Sequence, residues 1–490
     1  MLKLQFGPAI LLFALSFMPV VKLSAQNEAQ KIDEVIKAYQ DMHEFSGTAL
    51  VMKKGKIIFQ KAYGTANRET GTPNTIDTKF RIGSVTKQFT AMLIMQLKEQ
   101  GKLNLQDPIS RYLPYYRKDV GNQVTIHQLL THTSGIPDFT RRPNFTSEIA
   151  VVKLSREEMV KKYCSDTLES EPGKVYSYCN SGYYILGAII ESITGKSYGN
   201  VLQERIFNVV GMKNSGIDNP FTIVKNRAIG YDNVYGDFTN STYINMESSV
   251  LSAGAIYSTV GDLMLWNKAL HSNKLLSAEN TEIMFTPYLN KYAYGIGVNK
   301  FIYPGLNREV TFHAHTGGIF GFRAVLLYET QNDELITLLS NLVDDNSMDL
   351  DPITNRIFAI INNIPYDKPK PSVVSHMGEL VVHQSLDTAI AFYRQAKVKL
   401  KEKYDFGRTE DELNSLGYYL LNHKRVKDAV QILKLVTEEF PQSWNAYDSY
   451  AESLALDNQT PAAVTNYKKS LDLNPENANA TKQLKMLENK

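Results

Sequence analysis

Strand-forming segments stand at the two ends of one long stretch of this chain, and helical segments fill the middle. "SGTALVMKKGKIIFQKAYG", Ser46 to Gly64, alternates apolar and other residues on both sides of "KKGK". That is the pattern of a β-hairpin. "EVTFHAHTGG", "FRAVLLYE" and "ELITLLSNL", all beyond residue 308, read as three more strands, and "DPITNRIFAIINNI" as a closing helix. Between them, the region from about 105 to 300 mixes short helices with polar loops. Strands first and last with helices between predict one antiparallel sheet in which the two ends of the segment meet. The fold class is α+β: a sheet flanked by helices, with a helical insertion. "SVTKQFTAMLIMQLKEQGK" predicts an amphipathic helix that buries Phe89, Met92, Leu93, Met95 and Leu97 and stops at Gly101.

At 490 residues the chain is too long for one ordinary domain. Residues 1–25 read as a signal peptide, with Lys3, the apolar "FGPAILLFALSFMPVV" and a small-residue cleavage site at Leu23 to Ala25. The apolar run is too short to span a bilayer, so no membrane span is expected after cleavage. Residues 26–364 form the α+β domain, and "PYDKPKPS" opens a linker over 365–380. From 381 to 490 the texture is all-helical. Leu413 and Tyr447 are 34 residues apart, as are Gly417 and Ala451, Ala429 and Ala463, and Pro441 and Pro475. That period resembles two tetratricopeptide repeats, with "LDTAIAFYRQAKVKL" as a helix of a degenerate or capping unit before them.

Chemistry concentrates in three stretches. In "FRIGSVTKQF", Ser84 precedes Lys87 by three residues at a helix start, so both share a face. A serine hydroxyl attacks only when something takes its proton, and a lysine does so only when burial or positive charge keeps it neutral. The helix N-terminus adds N–H groups that stabilise an oxyanion. In "EPGKVYSYCNSGYYILG", the turn at Pro172-Gly173 presents Tyr178 and Asn180 just before a helix. A phenol beside a lysine is expected to have a lowered pKa and to shuttle the proton to a leaving group. Asn180 is placed to hold the lysine and a substrate amide. In "HTGGIFGF", Gly317 and Gly318 let a substrate backbone lie along a strand edge, and the Gly318 N–H is a second oxyanion donor. His315 and Thr316 can hydrogen-bond a substrate carboxylate or carbonyl. His313 alternates onto the same face as His315 and is given no role.

Together these stretches resemble the serine hydrolase family that holds class C β-lactamases, D-alanyl-D-alanine carboxypeptidases, D-aminopeptidases and related esterases. "LLTHTSGIPDF", "LSAGAIYSTVGDLMLW" and "YGIGV" follow the family's habit, over roughly residues 30 to 363. The resemblance implies Ser84 as the acylated nucleophile, Lys87 as its base, Tyr178 as proton shuttle, Asn180 as a substrate-orienting group, and Gly318 with Ser84 as the oxyanion hole. A typical β-lactamase of this kind carries Lys-Thr-Gly on the last motif, and here His315 replaces the lysine. Histidine is mostly neutral at pH 7, which shifts the expectation from β-lactams towards esters and D-amino-acid peptides.

The expected activity is therefore hydrolysis through a Ser84 acyl-enzyme in an exported, periplasmic or extracellular protein. A non-catalytic, ligand-binding member with the repeats as interaction module is the alternative. No cofactor and no metal ligand set is expected. Lys+Arg of 53 against Asp+Glu of 51 gives no reason to expect a nucleic-acid partner. A small-molecule or peptide substrate and a protein partner on the repeats are expected. Cys164 and Cys179 are read as two free, buried thiols rather than a disulfide. Specificity is assigned to the loops around 215–250 and 285–310. There the tyrosine-rich "GYDNVYGDFTNSTY" forms either an aromatic wall or a solvated loop.

Overall fold

The computed structural model describes residues 19–219, 221–344 and 350–488. Most of the expected signal peptide lies outside the described residues. Helix α1, Pro19–Asp41, leads into the hairpin β1, Gly47–Lys53, and β2, Lys56–Tyr63. The late strands are β3, Gly297–Ile302; β4, Glu309–Ile319; β5, Phe322–Glu329; and β6, Glu334–Ser340. They form one six-stranded antiparallel sheet in the order β3-β4-β5-β6-β1-β2. The early hairpin therefore joins the late strands through β1 and β6, as the placement of strands at both ends predicts, and Gly47 lies opposite Ser340. Strand β3 is an addition to the expected set.

Strands β1 and β6 are buried along almost their whole length because both sheet faces are covered. On one face lie α1 and the closing helix α4, Asp351–Ile361; this face holds Ile32, Ile36, Val51, Ile336, Leu338 and Ile357. On the other lies the helical insertion, built around α2, Thr86–Glu99, and α3, Asn180–Thr194. The expectation of an amphipathic α2 is corrected here. Every residue from Thr86 to Leu97 is buried, because other helices surround it: α3 and the segments Tyr198–Leu202, Leu251–Gly254 and Ala278–Phe285. Its polar residues find partners inside: Gln88 accepts from Trp266 Nε1 at 2.8 Å, and Thr90 donates to the Ser252 carbonyl at 2.6 Å. That is how buried polar groups avoid the cost of desolvation.

The C-terminal region is all helix: α5, Val373–His383; α6, Leu386–Lys399; α7, Thr409–Asn422; α8, Val426–Glu439; α9, Trp444–Leu456; α10, Thr460–Leu473; and α11, Ala478–Glu488. Pro441 and Pro475 sit in the turns between helices, and Ala429, Ala451 and Ala463 are wholly buried. At Gly417 even a methyl group would come within 2.5 Å of Leu433 Cδ2, so α7 and α8 need glycine there to approach. The helices begin at Val373, inside the stretch expected to be linker. Ser372 is the cause: its hydroxyl accepts from the Val374 and Ser375 N–H groups and caps α5.

Candidate active site

Ser84 lies on a short 3-10 turn, Gly83–Val85, that runs straight into α2. Strand β4 passes close beside this turn. A Cβ at Gly317 would fall 2.0 Å from the Ile82 carbonyl oxygen, and one at Gly83 would fall 2.9 Å from the Gly318 nitrogen. The glycines are thus required by the approach of strand to turn, and Gly83 also has φ +51°. Ser84, Asn180, Ala253, Gly318 and Arg323 line a cleft of about 560 Å³, with Phe145, Val250 and Val343 among its apolar walls.

Lys87 is completely buried one turn below Ser84. Its Nζ lies 3.0 Å from Ser84 Oγ, 2.8 Å from Asn180 Oδ1 and 2.9 Å from the Ala253 carbonyl oxygen. Burial pushes its pKa down to about 7, with the Asp138 carboxylate partly opposing the shift. The orientation of Asn180 is fixed from behind. Its Nδ2 donates to Asp138 Oδ2 and to Thr140 Oγ1, both at 3.0 Å, which turns Oδ1 towards the lysine. A neutral amine has two hydrogens and one lone pair. Asn180 Oδ1 and the Ala253 carbonyl can only accept, so they take the hydrogens. The lone pair is left facing the Ser84 hydroxyl, which can then donate to it.

Tyr178 is brought to the same place, with its ring centroid 4.8 Å from Lys87 Nζ. Its hydroxyl is buried and close enough to Ser84 for the serine to favour ionisation, but it makes no hydrogen bond of ordinary geometry. The expected lowering of its pKa is corrected: burial outweighs every other influence and pushes the phenol up, so it stays protonated. His315 is buried as well, and pushed down to about 4 by burial and by Lys87. Its Nδ1 donates to the Thr316 carbonyl at 2.6 Å, and its Nε2 accepts from the Tyr292 hydroxyl at 2.9 Å. Both ring nitrogens are therefore engaged within the protein. Thr316 and Gly318 are exposed on β4, and Gly318 faces the cleft.

Asp138 and His132 lie within "LLTHTSGIPDF" and Thr140 directly after it, and no spacing in the sequence assigns them a role. His132 has φ +57°, lies against the Tyr178 ring at 4.2 Å, and accepts from the Cys179 N–H at 3.0 Å. Such a strained, buried residue is stabilised only by its surroundings. His313 pairs with His271, Nδ1 to Nε2 at 2.9 Å, and stacks on Phe285, which makes it a packing residue. Cys164 and Cys179 are free, buried thiols, Cys179 pushed up to about 12 by burial. Both should resist a thiol-directed disulfide reagent in the native protein, and two equivalents should react after denaturation; rapid native labelling would contradict this. Among the described residues no group of metal-ligating side chains occurs, and no helix is long and apolar enough to cross a membrane.

A sheet covered on both faces, with a buried lysine beneath a serine that lines the cleft beside β4, defines an α+β fold with its candidate site at the meeting of sheet and helices. The family described as Beta-lactamase matches residues 32–359, and the chain belongs to it. Its relatives include PbpX of Bacillus subtilis, named as a penicillin-binding protein, 30% identical over 70% of this chain and 83% of that one. The teichoic acid D-alanine hydrolase of Staphylococcus aureus is 28% identical over 68% and 79%. Among solved structures, the penicillin binding protein from Bacillus halodurans superposes with a TM-score of 0.58 at 27% identity, covering 66% of this chain and 98% of that one.

Proposed function

We propose that this chain is an exported serine hydrolase that cleaves an acyl group from an ester or a D-amino-acid peptide through an acyl-enzyme on Ser84. The observation that carries this reading is the Lys87 amine, wholly buried, shifted to about 7 and 3.0 Å from Ser84 Oγ. Lys87 takes the Ser84 proton as Oγ attacks the carbonyl carbon, and the Ser84 and Gly318 N–H groups hold the oxyanion. The protonated Tyr178 phenol donates to the leaving atom and recovers its proton through Lys87. Water then attacks the acyl-enzyme by the same groups in reverse. Asn180, held by Asp138 and Thr140, keeps the lysine in line.

A β-lactam is the less favoured substrate. The position before Thr316 carries a neutral histidine whose nitrogens are both engaged, so it offers no cation to a β-lactam carboxylate. One relative is named for hydrolysing D-alanine from teichoic acid, which supports a D-amino-acyl ester. Export agrees with the N-terminal apolar stretch and with relatives named for cell-wall work. The C-terminal helices are compatible with tetratricopeptide repeats, which would give a protein-binding surface. Turnover of p-nitrophenyl acetate, a D-alanyl-D-alanine peptide and nitrocefin tests the substrate reading. The ester or peptide should lead; nitrocefin leading would overturn it.

The pH dependence follows from the lysine. Lys87 works only when neutral, and its pKa is depressed to about 7, so the neutral fraction grows as pH rises through that value. The logarithm of kcat/KM should climb with unit slope below pH about 7 and level off above it. A flat profile between pH 5 and 9 would contradict the role.

A further inference from the structure

The segment Tyr231–Asn240 is a hairpin, with strands Tyr231–Val234 and Asp237–Asn240 joined through Tyr235 and Gly236. Its base belongs to the cleft. Asp232 and Thr242 line it beside Ser84, and so does Val343 on the neighbouring parallel strand, opposite Asp232. Below the base, Gly230 supports the turn that follows the oxyanion strand. A Cβ at Gly321 would fall 2.6 Å from the Gly230 backbone.

Its tip belongs to the helical region. Tyr235 is only 4% exposed and packs in one cluster with Val374, Met377, Leu416 and Leu420. A Cβ at Gly378 on α5 would sit 1.9 Å from Tyr235 Cδ1, so the ring occupies the place of a missing side chain. Tyr419 on α7 meets it edge-on at 5.2 Å, and His383 lies 3.7 Å from Asp237. Tyr235 and Gly236 have φ of +51° and +89°, the left-handed turn of a tight hairpin. A tyrosine in that conformation is strained and persists only because its seat holds it. The middle of the hairpin is held from the hydrolase side, by Arg68 over the Phe238 ring at 3.5 Å.

We propose that the C-terminal helices act on the hydrolase as a clamp: Tyr235, seated over Gly378, is a positioning residue that fixes the hairpin wall of the Ser84 cleft. The helical region then sets how extended acyl groups lie in the cleft, whatever else it binds. This rests on the proposed hydrolase reading for its kinetic consequence, but not for its structural one.

Gly378→Ile and Tyr235→Ala in the full chain test it, with Tyr235→Phe as the conservative control. Hydrogen exchange should quicken about tenfold across 231–243 in the first two variants and stay as in the parent in the third. The kcat/KM for p-nitrophenyl hexanoate should fall about tenfold, mainly through KM, while that for p-nitrophenyl acetate stays within about twofold. If Gly378→Ile fails to fold, Tyr235→Ala reads the same quantities, since it only truncates a side chain. Unchanged exchange, or acetate and hexanoate falling in step, would overturn the proposal. Exchange is read whether or not Ser84 turns over, so a parent without turnover counts against the proposed function alone.

Discussion

Replacing Lys87 by methionine should lower kcat/KM for a small ester by about 10⁴-fold or more, with the fold retained. The argument is one of protons. Ser84 Oγ has the lone pair of the amine 3.0 Å away to receive its hydrogen, while the Tyr178 phenol beside it stays protonated. Methionine fills the volume of the lysine stem without supplying a base, and it suits a helix interior. Two acceptors, Asn180 Oδ1 and the Ala253 carbonyl, would lose their donor, so some stability is lost as well. Circular dichroism separates folding from catalysis. A folded variant retaining more than a tenth of the parent's activity would show that some other group is the base.

Gly317→Ala is expected to be the second severe change. The new methyl group would lie 2.0 Å from the Ile82 carbonyl oxygen, which is backbone and cannot swing aside as a long side chain can. Strand β4 must then move away from the turn that carries Ser84. The Gly318 and Ser84 N–H groups separate, and kcat should fall about 10²–10³-fold, the scale seen when one oxyanion donor is removed. The same displacement overpacks the core and should destabilise the chain by about 1–3 kcal/mol. An alanine variant with parental kcat and parental melting temperature would mean that the close approach carries no function.

The features that were legible in the sequence are those set over short distances. Ser84 and Lys87 are three residues apart, and their meeting follows from helix geometry alone. The sheet was readable because β1, β2, β4, β5 and β6 each announce themselves by alternation or by an apolar run. Strand β3 was missed because "GVNKFI" at the sheet edge leaves Phe301 and Ile302 exposed and shows no alternation of burial. The effect of burial on a titrating group was not legible either. Proximity to a lysine predicts a lowered phenol pKa for Tyr178, yet enclosure wins, and enclosure is a property of the whole fold. The partners of His315 and Asn180 come from remote loops, Tyr292 and Asp138, whose approach no spacing encodes. "GYDNVYGDFTNSTY" left a wall and a solvated loop open because its turn is Tyr-Gly rather than Asn-Gly. Only the helices it plugs into explain why a tyrosine stands there.

Acylation at Ser84 Oγ can be measured directly. The protein is exposed to a fluorophosphonate probe at pH 8 and digested, and the peptide containing Ser84 is weighed by mass spectrometry. A single adduct on that serine, absent from Ser84→Ala and strongly slowed in Lys87→Met, is the predicted result. An unmodified Ser84 under conditions that label a control esterase, or an adduct that persists in Ser84→Ala, would contradict the account.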